Sequence, residues 1–593
     1  MGKIVEINGP IVTADLPEVA ISEEVKIGRL GLIGEVIGRE GPLAVVQVHE
    51  STESLRPGEE VAALGRPMSV ELGPGLLGQI FDGVQRPLMA IVREGGDRVA
   101  RGVGIPSLDR GRTWSFEPTG TLTVGQKIEP GAVLGTVQEN PSFTHRILVP
   151  PTVGGELTAL AQAGAYTVDR TVAQVRDASG HAHEIRLYQS WPVRVPRPYR
   201  SRDHAVAPLF TGQRILDTFF PLVRGGKAAV PGPFGSGKTV LLEQIARWSN
   251  ADIMIYVGCG ERGNELVGML EEFPKLRDPH TDRPLMERTL LVANTSNMPV
   301  VAREASIYSG VTIAEYFRDQ GYDVVMVADS TSRWAEALRE VAGRLGHMPV
   351  EEGYPAYLAS RLSAFYERAG RVEPLLGGRG SVTLIGSVSP PGGDFSEPVT
   401  NHTKEIIQTF WALSKDLADA RHYPAVDWNG SFSGYVSTVS PWWDEHIHAG
   451  WKEKRAESLE LLARADELTR ILNLVGPEAL SPTQRWMLEA AGLFKDAVLQ
   501  QSALDPADSY CSPEKQFALL DMVLDIYHQG RDVLALGAPV QELLDMRVLG
   551  RARRIKAVYA SDQIDGLRGF DNEIREAFGA LRAEYQQAER QPT

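Results

Sequence analysis

The 593-residue sequence has few of the features that mark secreted, membrane-spanning or metal-clustered proteins. Its two cysteines, Cys259 and Cys511, are too few for a disulfide framework and cannot form a metal cage alone, so a reducing compartment is expected. No run of about 18 apolar residues occurs, so we expect no transmembrane helix. The start, MGKIVEINGP, lacks a basic segment followed by an apolar stretch, so we expect no secretory signal peptide.

The sequence also lacks an excess of positive charge. Its formal net charge is −15, with 61 Lys and Arg against 76 Asp and Glu. Proteins that coat nucleic acids attract them mainly through Lys and Arg, so no nucleic-acid partner is expected. A hydrophobic content of 43% and a charged content of 23% are ordinary for a soluble globular protein, and the length is sufficient for several domains.

The pattern of apolar residues and turn signals changes along the chain and predicts a multidomain α/β protein. Residues 1–70 have short apolar runs between turn signals, which are typical of a small β-barrel. Residues 110–190 are again β-rich and predict an insertion, which interrupts a domain formed by residues 71–109 and 191–435. Apolar strands and helical patterns alternate in that domain and predict a mostly parallel sheet. Residues 436–593 predict a helical domain, with helix starts at Ser481-Pro482 and Ser512-Pro513.

One segment matches the phosphate-binding pattern G-x-x-x-x-G-K-T, also called Walker A. It consists of Gly232, Pro233, Phe234, Gly235, Ser236, Gly237, Lys238 and Thr239. A short apolar strand precedes it, and a helical run that begins at Val240 follows. The glycines allow a tight turn whose N–H groups face phosphate oxygens, and the helix N-terminus adds partial positive charge. Lys238 would then reach the β- and γ-phosphates, and the Thr239 hydroxyl would bind Mg²⁺.

A second segment matches the Walker B form, an apolar strand that ends in an acid. Residues 324–328 read VVMVA and are followed by Asp329. Open α/β sheets bind ligands at the carboxyl ends of their strands, so Asp329 is a candidate ligand for Mg²⁺, directly or through a water molecule.

Glycines surround a further pair of charged residues, Glu261 and Arg262, in the segment GCGERGNE. Hydrolysis of ATP requires a group that orients the attacking water and accepts its proton, and Glu261 is our candidate. Arg262 could bind phosphate oxygens with both arms of its guanidinium group. From the spacing alone, an ordinary surface turn explains both residues equally well. Cys259 is interpreted as a small packed residue rather than a nucleophile.

Taken together, these segments resemble a known family, the catalytic A subunits of V/A-type rotary ATPases, of the bacterial or archaeal kind. The motifs are GPFGSGKT, GCGERGNE, EEGYPAYLASRL and a long central match from ANTSNMPVV to AEALRE, and the resemblance covers nearly the whole chain. It implies an N-terminal β-barrel, a β-rich insertion, a RecA-like P-loop nucleotide-binding domain and a C-terminal helical domain. It also implies hydrolysis or synthesis of ATP, with ATP or ADP and Mg²⁺ bound.

The resemblance assigns roles to individual residues. It aligns Lys238 and Thr239 with phosphate and Mg²⁺ contacts, Glu261 with the catalytic glutamate, and Arg262 with an arginine beside the phosphates. Asp329 aligns with the Walker B acid. The resemblance further implies an aromatic contact to the adenine from Tyr423 and a nucleotide contact from Phe234, although packing explains both aromatic residues nearly as well.

The resemblance also implies partners. Three copies would alternate with three noncatalytic B subunits, which would supply an arginine finger, around a central stalk. A peripheral stalk and a membrane sector that carries H⁺ or Na⁺ would complete the complex, and this chain would lie at the cytoplasmic face of the membrane.

The sequence departs from the family pattern at three positions. Ser236 stands where eukaryotic relatives carry cysteine, Val350 stands where glycine is expected, and Leu504 replaces an expected aromatic residue. Because a β-branched residue disfavours positive φ, the turn at Val350 is expected to differ. Leu504 puts part of the packing around the adenine in doubt.

Two alternative functions remain open at the level of the sequence. One is a noncatalytic nucleotide-binding subunit of the same ring, but such a subunit has no need to keep Glu261. The other is a hexameric RecA-type RNA translocase, which the acidic composition and the absence of an aromatic-basic RNA motif oppose.

Overall fold

Separate segments of the chain build two units. The first comprises Met1–Ala205, Arg224–Ala229 and Ala251–Ile407, and the second comprises Val206–Val223, Val230–Asn250 and Gln408–Thr593. The computed structural model describes residues 1–95, 101–204, 206–263, 268, 271–278, 281–296, 298–476 and 480–589. No helix in these ranges is both long enough and apolar enough to cross a membrane.

Six strands at the start of the first unit close into a barrel. They are β1 (Gly2–Asn8), β2 (Ile11–Asp15), β3 (Glu23–Ile27), β4 (Leu32–Glu40), β5 (Leu43–Val48) and β6 (Glu60–Pro67), in the order β1-β2-β5-β4-β3-β6. Successive side chains of a strand point to opposite faces, so residues such as Val12, Val25 and Val46 fill the interior and are completely buried. The predicted N-terminal β-barrel is confirmed.

A β-rich insertion follows after three short elements. These elements are β7 (Ser69–Leu72), β8 (Ile80–Phe81) and α1 (Leu88–Gly95). The insertion contains β9 (Thr113–Pro118), β10 (Lys127–Ile128), β11 (Val133–Asn140), β12 (Phe143–Leu148), β13 (Gly155–Leu160), β14 (Gly164–Thr167), β15 (Thr171–Arg176) and β16 (Ala182–Arg186). These strands form two four-stranded sheets, in the orders β10-β13-β15-β16 and β12-β11-β9-β14. The chain then returns through β17 (Gln189–Pro192), which pairs with β7, and β18 (Ser201–Asp203).

Parts of the next segment belong to each unit, and this segment carries the glycine-rich loop. It contains β19 (Pro208–Leu209), β20 (Leu222–Val223), β21 (Lys227–Pro231) and α2 (Lys238–Trp248), and a π-helical turn lies at Ile215–Phe219. Just before β21, in the first unit, the Gly226 carbonyl accepts a hydrogen bond from the Leu384 N–H at 3.1 Å. β21 ends in the second unit, where the loop and α2 follow.

A mostly parallel sheet forms the centre of the first unit. Its elements are β22 (Ile253–Glu261), β23 (Thr289–Thr295), α3 (Val300–Asp319), β24 (Asp323–Asp329), α4 (Thr331–Arg344), α5 (Leu358–Tyr366), β25 (Gly370–Glu373), β26 (Gly380–Val388) and α6 (Pro398–Ile406). The strands β26, β24, β22, β23 and β8 lie side by side and are parallel, and β25 adds antiparallel to β26. The strands β22, β24 and β26 are apolar on both faces and almost wholly buried, as a sheet covered on both sides requires. The apolar runs predicted as strands within residues 253–385 all lie in this sheet.

Helices dominate the rest of the second unit. They are α7 (Lys415–Asp419), α8 (Val436–His446), α9 (Trp451–Val475), α10 (Pro482–Phe494), α11 (Pro513–Ala535), α12 (Val540–Leu544), α13 (Arg547–Ala552), α14 (Ile555–Val558) and α15 (Ile564–Glu589). A two-stranded pair, β27 (Thr409–Phe410) and β28 (Phe432–Ser433), precedes α8. The predicted helix starts are confirmed: Ser481 and Gln484 form a capping box, and the Ser512 side chain accepts from the Lys515 N–H.

The turn at Val350 places its β-branched residue at a negative φ. Val350 has a φ of −111°, and the positive φ values of this turn fall on Glu352 at 48° and Gly353 at 82°. Left-handed backbone is therefore required two and three residues after the position where glycine was expected.

Candidate functional site

The glycine-rich loop in the second unit has the backbone that its sequence predicts. Gly235 and Gly237 have φ values of 81° and 80°, in the left-handed region that favours glycine. Gly237 is the N-cap of α2, so Lys238 and Thr239 form the first turn of that helix. The first N–H groups of a helix have no partner within the helix, and together with its dipole they attract anions.

Hydrogen bonds within the loop hold its shape. The Ser236 hydroxyl donates to the Pro233 carbonyl at 2.8 Å, and the Lys238 ammonium donates to the Gly232 carbonyl at 3.3 Å. A Cβ at Gly232 would lie 2.7 Å from Cβ of Leu413, so only glycine fits there. Phe234, in contrast, is 75% exposed, and Val240 is also exposed, so neither side chain belongs to the core.

A cavity in the same unit begins beside this loop. Its volume is ≈ 600 Å³, and its lining includes Gln213, Gly237, Val240, Leu241, Gln244, Arg421, Tyr423, Gln500, Leu504, Asp508 and Lys556. We call it the Tyr423 cavity. A Cβ at Gly237 would lie 3.1 Å from Cε1 of Tyr423, so the ring packs against the loop. Tyr423 is 41% exposed and Leu504 is 94% exposed, so the cavity lining includes two uncovered apolar side chains.

Asp329 lies at the carboxyl end of β24 in the first unit and is held from two sides. The Tyr256 hydroxyl donates to its Oδ2 at 2.9 Å, and the Ser387 hydroxyl donates to its Oδ1 at 2.6 Å. These partners come from β22 and β26, the two neighbours of β24. The carboxylate is 2% exposed and therefore has a defined orientation at the strand end.

Glu261 ends β22, the strand that pairs in parallel with β24. Gly258 is the register partner of Asp329, so Glu261 lies three residues further along the same direction. Its carbonyl accepts a hydrogen bond from the Ser296 N–H at 2.8 Å, and its side chain is half-buried. The first unit thus brings the two predicted acids, Glu261 and Asp329, to the same edge of one sheet.

The backbone conformation before Glu261 explains why glycine stands at position 260. Gly260 has a φ of 73°, and a Cβ at that position would lie 2.7 Å from Nε of Arg303. Any other residue would be strained by this positive φ and would have to displace the Arg303 side chain. Arg262, which follows, is exposed, and the last two residues of GCGERGNE, Asn264 and Glu265, lie outside the described residues.

Cys259 is a packed residue, as its sequence context predicts. Its side chain is completely buried, and its thiol donates to the Arg303 carbonyl at 3.3 Å. Burial raises the pKa of the thiol to about 12, so the thiolate that a nucleophile requires does not form near neutral pH.

Several residues that shape the site have no sequence motif. Tyr256 and Ser387 hold Asp329 but read as ordinary strand residues, and Lys556 and Gln500 line the Tyr423 cavity from segments far along the chain. Only the pairing of β22, β24 and β26, and the packing of the helical segments, bring them to these positions.

Models of known families match four successive parts of the chain. Residues 4–65 match the beta-barrel domain of the ATP synthase alpha/beta family, and residues 105–194 match the barrel-sandwich domain of ATP synthase alpha/beta subunits. Residues 212–433 match the nucleotide-binding domain of the same family, and residues 440–534 match the C-terminal domain of V and A type ATP synthase.

Individual relatives match over nearly the full length. The chain is 65% identical to the V-type ATP synthase alpha chain of Nitrosococcus oceani, over 99% of this chain and 100% of that protein. It is 52% identical to the A subunit of the A-type ATP synthase of Methanopyrus kandleri, over 98% of each. Among solved structures, the ATPase EscN from the enteropathogenic E. coli type III secretion system has a similar fold, with a TM-score of 0.62, 22% identity, and coverage of 88% of this chain and 100% of that one.

The full-length identity and the four family matches agree with the two acids at one sheet edge and the glycine loop at a helix start. The chain belongs to the A (alpha) subunits of V- and A-type ATP synthases, the catalytic subunits of these rotary enzymes.

Proposed function

We propose that Lys238, Thr239, Glu261 and Asp329 form the catalytic group that hydrolyses or synthesises ATP, and that this reaction is coupled to transport of H⁺ or Na⁺. The observation that supports it most is the arrangement of the two acids. Asp329 and Glu261 end neighbouring parallel strands, and Asp329 is held by hydroxyl groups from both sides. Ligands of open α/β sheets bind at this end of the strands.

In this proposal Lys238 and the N–H groups at the start of α2 hold the β- and γ-phosphates. The left-handed glycines Gly235 and Gly237 permit the loop to turn its N–H groups inward. Gly232, Pro233, Phe234, Ser236 and Val240 complete the segment around the nucleotide. Arg262, which is exposed, adds a guanidinium group that can bind phosphate oxygens in pairs.

The donors present suit Mg²⁺. Thr239 offers a hydroxyl oxygen and Asp329 a carboxylate, and both are hard oxygen ligands. No group of three or more His, Cys, Asp or Glu side chains that could hold a metal ion occurs in the part of the chain that the structure describes. Mg²⁺ is commonly bound by one or two carboxylates together with substrate phosphates, so Thr239 and Asp329 would hold it with the nucleotide. When bound, the cation neutralises charge on the phosphates.

Glu261 orients the attacking water in this proposal. The water oxygen forms a bond to the γ-phosphorus, the bond from that phosphorus to the ADP oxygen breaks, and the water proton passes to the Glu261 carboxylate. ADP and phosphate leave, and Glu261 returns the proton to solvent. Synthesis follows the same steps in reverse.

The nucleobase enters the Tyr423 cavity. Because Tyr423 packs beside Gly237, a base held against its ring lies next to a loop that holds the phosphates. An aromatic face and the exposed Leu504 give the base two apolar contacts.

As part of an ATP synthase, the chain works in a complex with other subunits. We propose that three copies alternate with three noncatalytic B subunits, each of which supplies an arginine finger to this chain. A central stalk then carries the motion to a membrane sector, a peripheral stalk holds the ring, and the ring lies at the cytoplasmic face of the membrane. An arginine from a neighbour ties stabilisation of the transition state to movement of the subunits.

The test is the variant Lys238→Ala in the reconstituted ring. We expect ATP turnover to disappear, because the β- and γ-phosphates lose their point charge. The matched control is Lys415→Ala, an exposed lysine on α7 in the same unit, which should leave turnover unchanged. Normal turnover by Lys238→Ala would refute the assignment of the phosphate loop.

A further inference from the structure

Lys556, on the short helix α14, contacts Gln500, a residue of the Tyr423 cavity lining that lies far from it along the chain. Its ammonium group donates to the Gln500 carbonyl at 2.7 Å, and the Gln500 side-chain oxygen lies 3.4 Å from it. The Gln500 side-chain nitrogen lies 3.5 Å from the Arg421 carbonyl, which it faces as a donor. Lys556 therefore orients the amide of a residue that lines the cavity.

The same wall is joined to Tyr423 itself. The Gln501 N–H donates to the Tyr423 carbonyl at 2.8 Å. This bond ties the Gln501 backbone to that of Tyr423, whose ring packs beside Gly237. Lys556 is thus connected to Tyr423 through Gln500 and Gln501.

Two other cations contact the backbone of Gln500 and of Lys556. The Arg214 guanidinium donates to the same Gln500 carbonyl at 2.6 Å and to Asp508 Oδ1 at 2.6 Å. The Lys515 ammonium donates to the Lys556 carbonyl at 2.8 Å and to the Ala507 carbonyl at 2.9 Å. Lys556 and Arg214 thus both bind the Gln500 carbonyl, and the buried acid Asp508 pairs with Arg214.

The surroundings of Lys556 disfavour its charged form. Burial, and then the positive charge of Arg214, lower the pKa of Lys556 to about 8, while Asp508 and Asp496 oppose the shift and Lys515 adds to it. His422, which also faces Lys556, has its pKa lowered to about 4 by burial and is neutral near pH 8. Groups with shifted pKa values cluster at functional sites, and Lys556 lines the Tyr423 cavity.

We infer that Lys556 is a positioning residue for nucleotide binding, which sets the affinity for the nucleobase by holding the Gln500 wall and Tyr423 in place. This inference rests on the proposed function, because it takes the Tyr423 cavity as the base site. Lys556 acts on the base end of the nucleotide and leaves the phosphate end to Lys238.

The test uses the full-length chain and two ligands, Mg·ADP and Mg·pyrophosphate, whose affinities are measured by calorimetric titration at pH 7. Lys556→Met should raise the Kd for Mg·ADP about tenfold, the effect of one lost hydrogen bond, and leave the Kd for Mg·pyrophosphate unchanged. Lys556→Arg should retain the affinity for Mg·ADP. Lys454→Met, which removes a half-buried lysine that pairs with Asp521 on α11, is the matched control and should change neither Kd.

Two further readouts separate positioning from a structural role. Since the folded pKa of Lys556 lies below its ordinary value of 10.5, the charged side chain destabilises the fold at pH 7, so Lys556→Met should keep or raise the Tm. In the unmodified chain the Kd for Mg·ADP should rise as the pH passes through about 8, whereas in Lys556→Arg it should not.

Other outcomes would overturn the inference. An equal loss of affinity for both ligands would mean that Lys556 acts through its charge on the phosphates. An unchanged Kd for Mg·ADP, or a lowered Tm with no recovery in Lys556→Arg, would mean that it has no positioning role. If the unmodified chain bound neither ligand, the proposed function itself would fail, and the inference with it.

Discussion

At the scale of single residues, the side chains proposed to bind the nucleotide differ from the side chains that position them. Glu261 and Asp329 are the two acidic residues, and hydrogen bonds from Tyr256 and Ser387 orient the Asp329 carboxylate. Lys238 carries the charge of the loop, and the carbonyl of Gly232 is its partner in the loop. Asp329 thus has two side-chain supports, which can be removed in separate experiments.

Glu261→Gln should bind Mg·ATP with near-normal affinity and hydrolyse it about 10²–10⁴-fold more slowly, because the amide cannot accept the water proton. Single-turnover hydrolysis in the reconstituted ring measures this loss, and nucleotide titration measures the binding. Glu340→Gln, on the exposed face of α4, is the matched control and should turn over normally. A loss of less than tenfold in Glu261→Gln would contradict the assigned role.

At the scale of elements, a hydrogen bond from a serine of β26 to an aspartate of β24 joins these parallel strands at each end. The Ser387 hydroxyl donates to Asp329 at the carboxyl end, and the Ser381 hydroxyl donates to Asp323 at the amino end, each at 2.6 Å. Both are bonds from a serine hydroxyl to an aspartate, and Asp323 additionally pairs with Arg224. Only the carboxyl end of such strands faces a ligand.

Ser387→Ala should therefore raise the Mg²⁺ concentration needed for half-maximal ATP turnover several-fold, because Asp329 loses one of its two supports. Ser381→Ala should leave this concentration unchanged. Both variants should lose a comparable free energy of unfolding, about 1 kcal/mol for one hydrogen bond, as measured by urea denaturation. Equal Mg²⁺ requirements in the two variants would mean that Asp329 is a structural acid.

At the scale of the whole molecule, the chain is one component of a larger enzyme, and its activity should depend on assembly. The proposed arginine finger belongs to a neighbouring subunit, and such a residue is commonly worth about 10³–10⁵ in turnover. The isolated chain should bind Mg·ATP but hydrolyse it at least about 10³-fold more slowly than the reconstituted ring. Turnover by the isolated chain at the rate of the ring would contradict the proposal that a partner completes the site.

The sequence by itself determined the parts whose cause is local. The left-handed backbone of Gly235 and Gly237, the helix that begins at Lys238 and the helix starts at Ser481 and Ser512 each follow from a few adjacent residues. The strands β22, β24 and β26 could also be predicted from their own residues, because a strand buried on both faces is apolar throughout. The family resemblance then supplied roles for Glu261, Arg262 and Tyr423, which spacing alone left open.

Only the tertiary structure decided which distant residues meet. Ser387 is 58 residues from Asp329, and Lys556 is 56 residues from Gln500, so no local pattern connects either pair. Their contacts depend on strand order and helix packing, which are set by the burial of apolar surface over a whole unit and not by any single segment. For that reason the candidate ligand-binding residues could be predicted from the sequence, whereas the residues that position them could not.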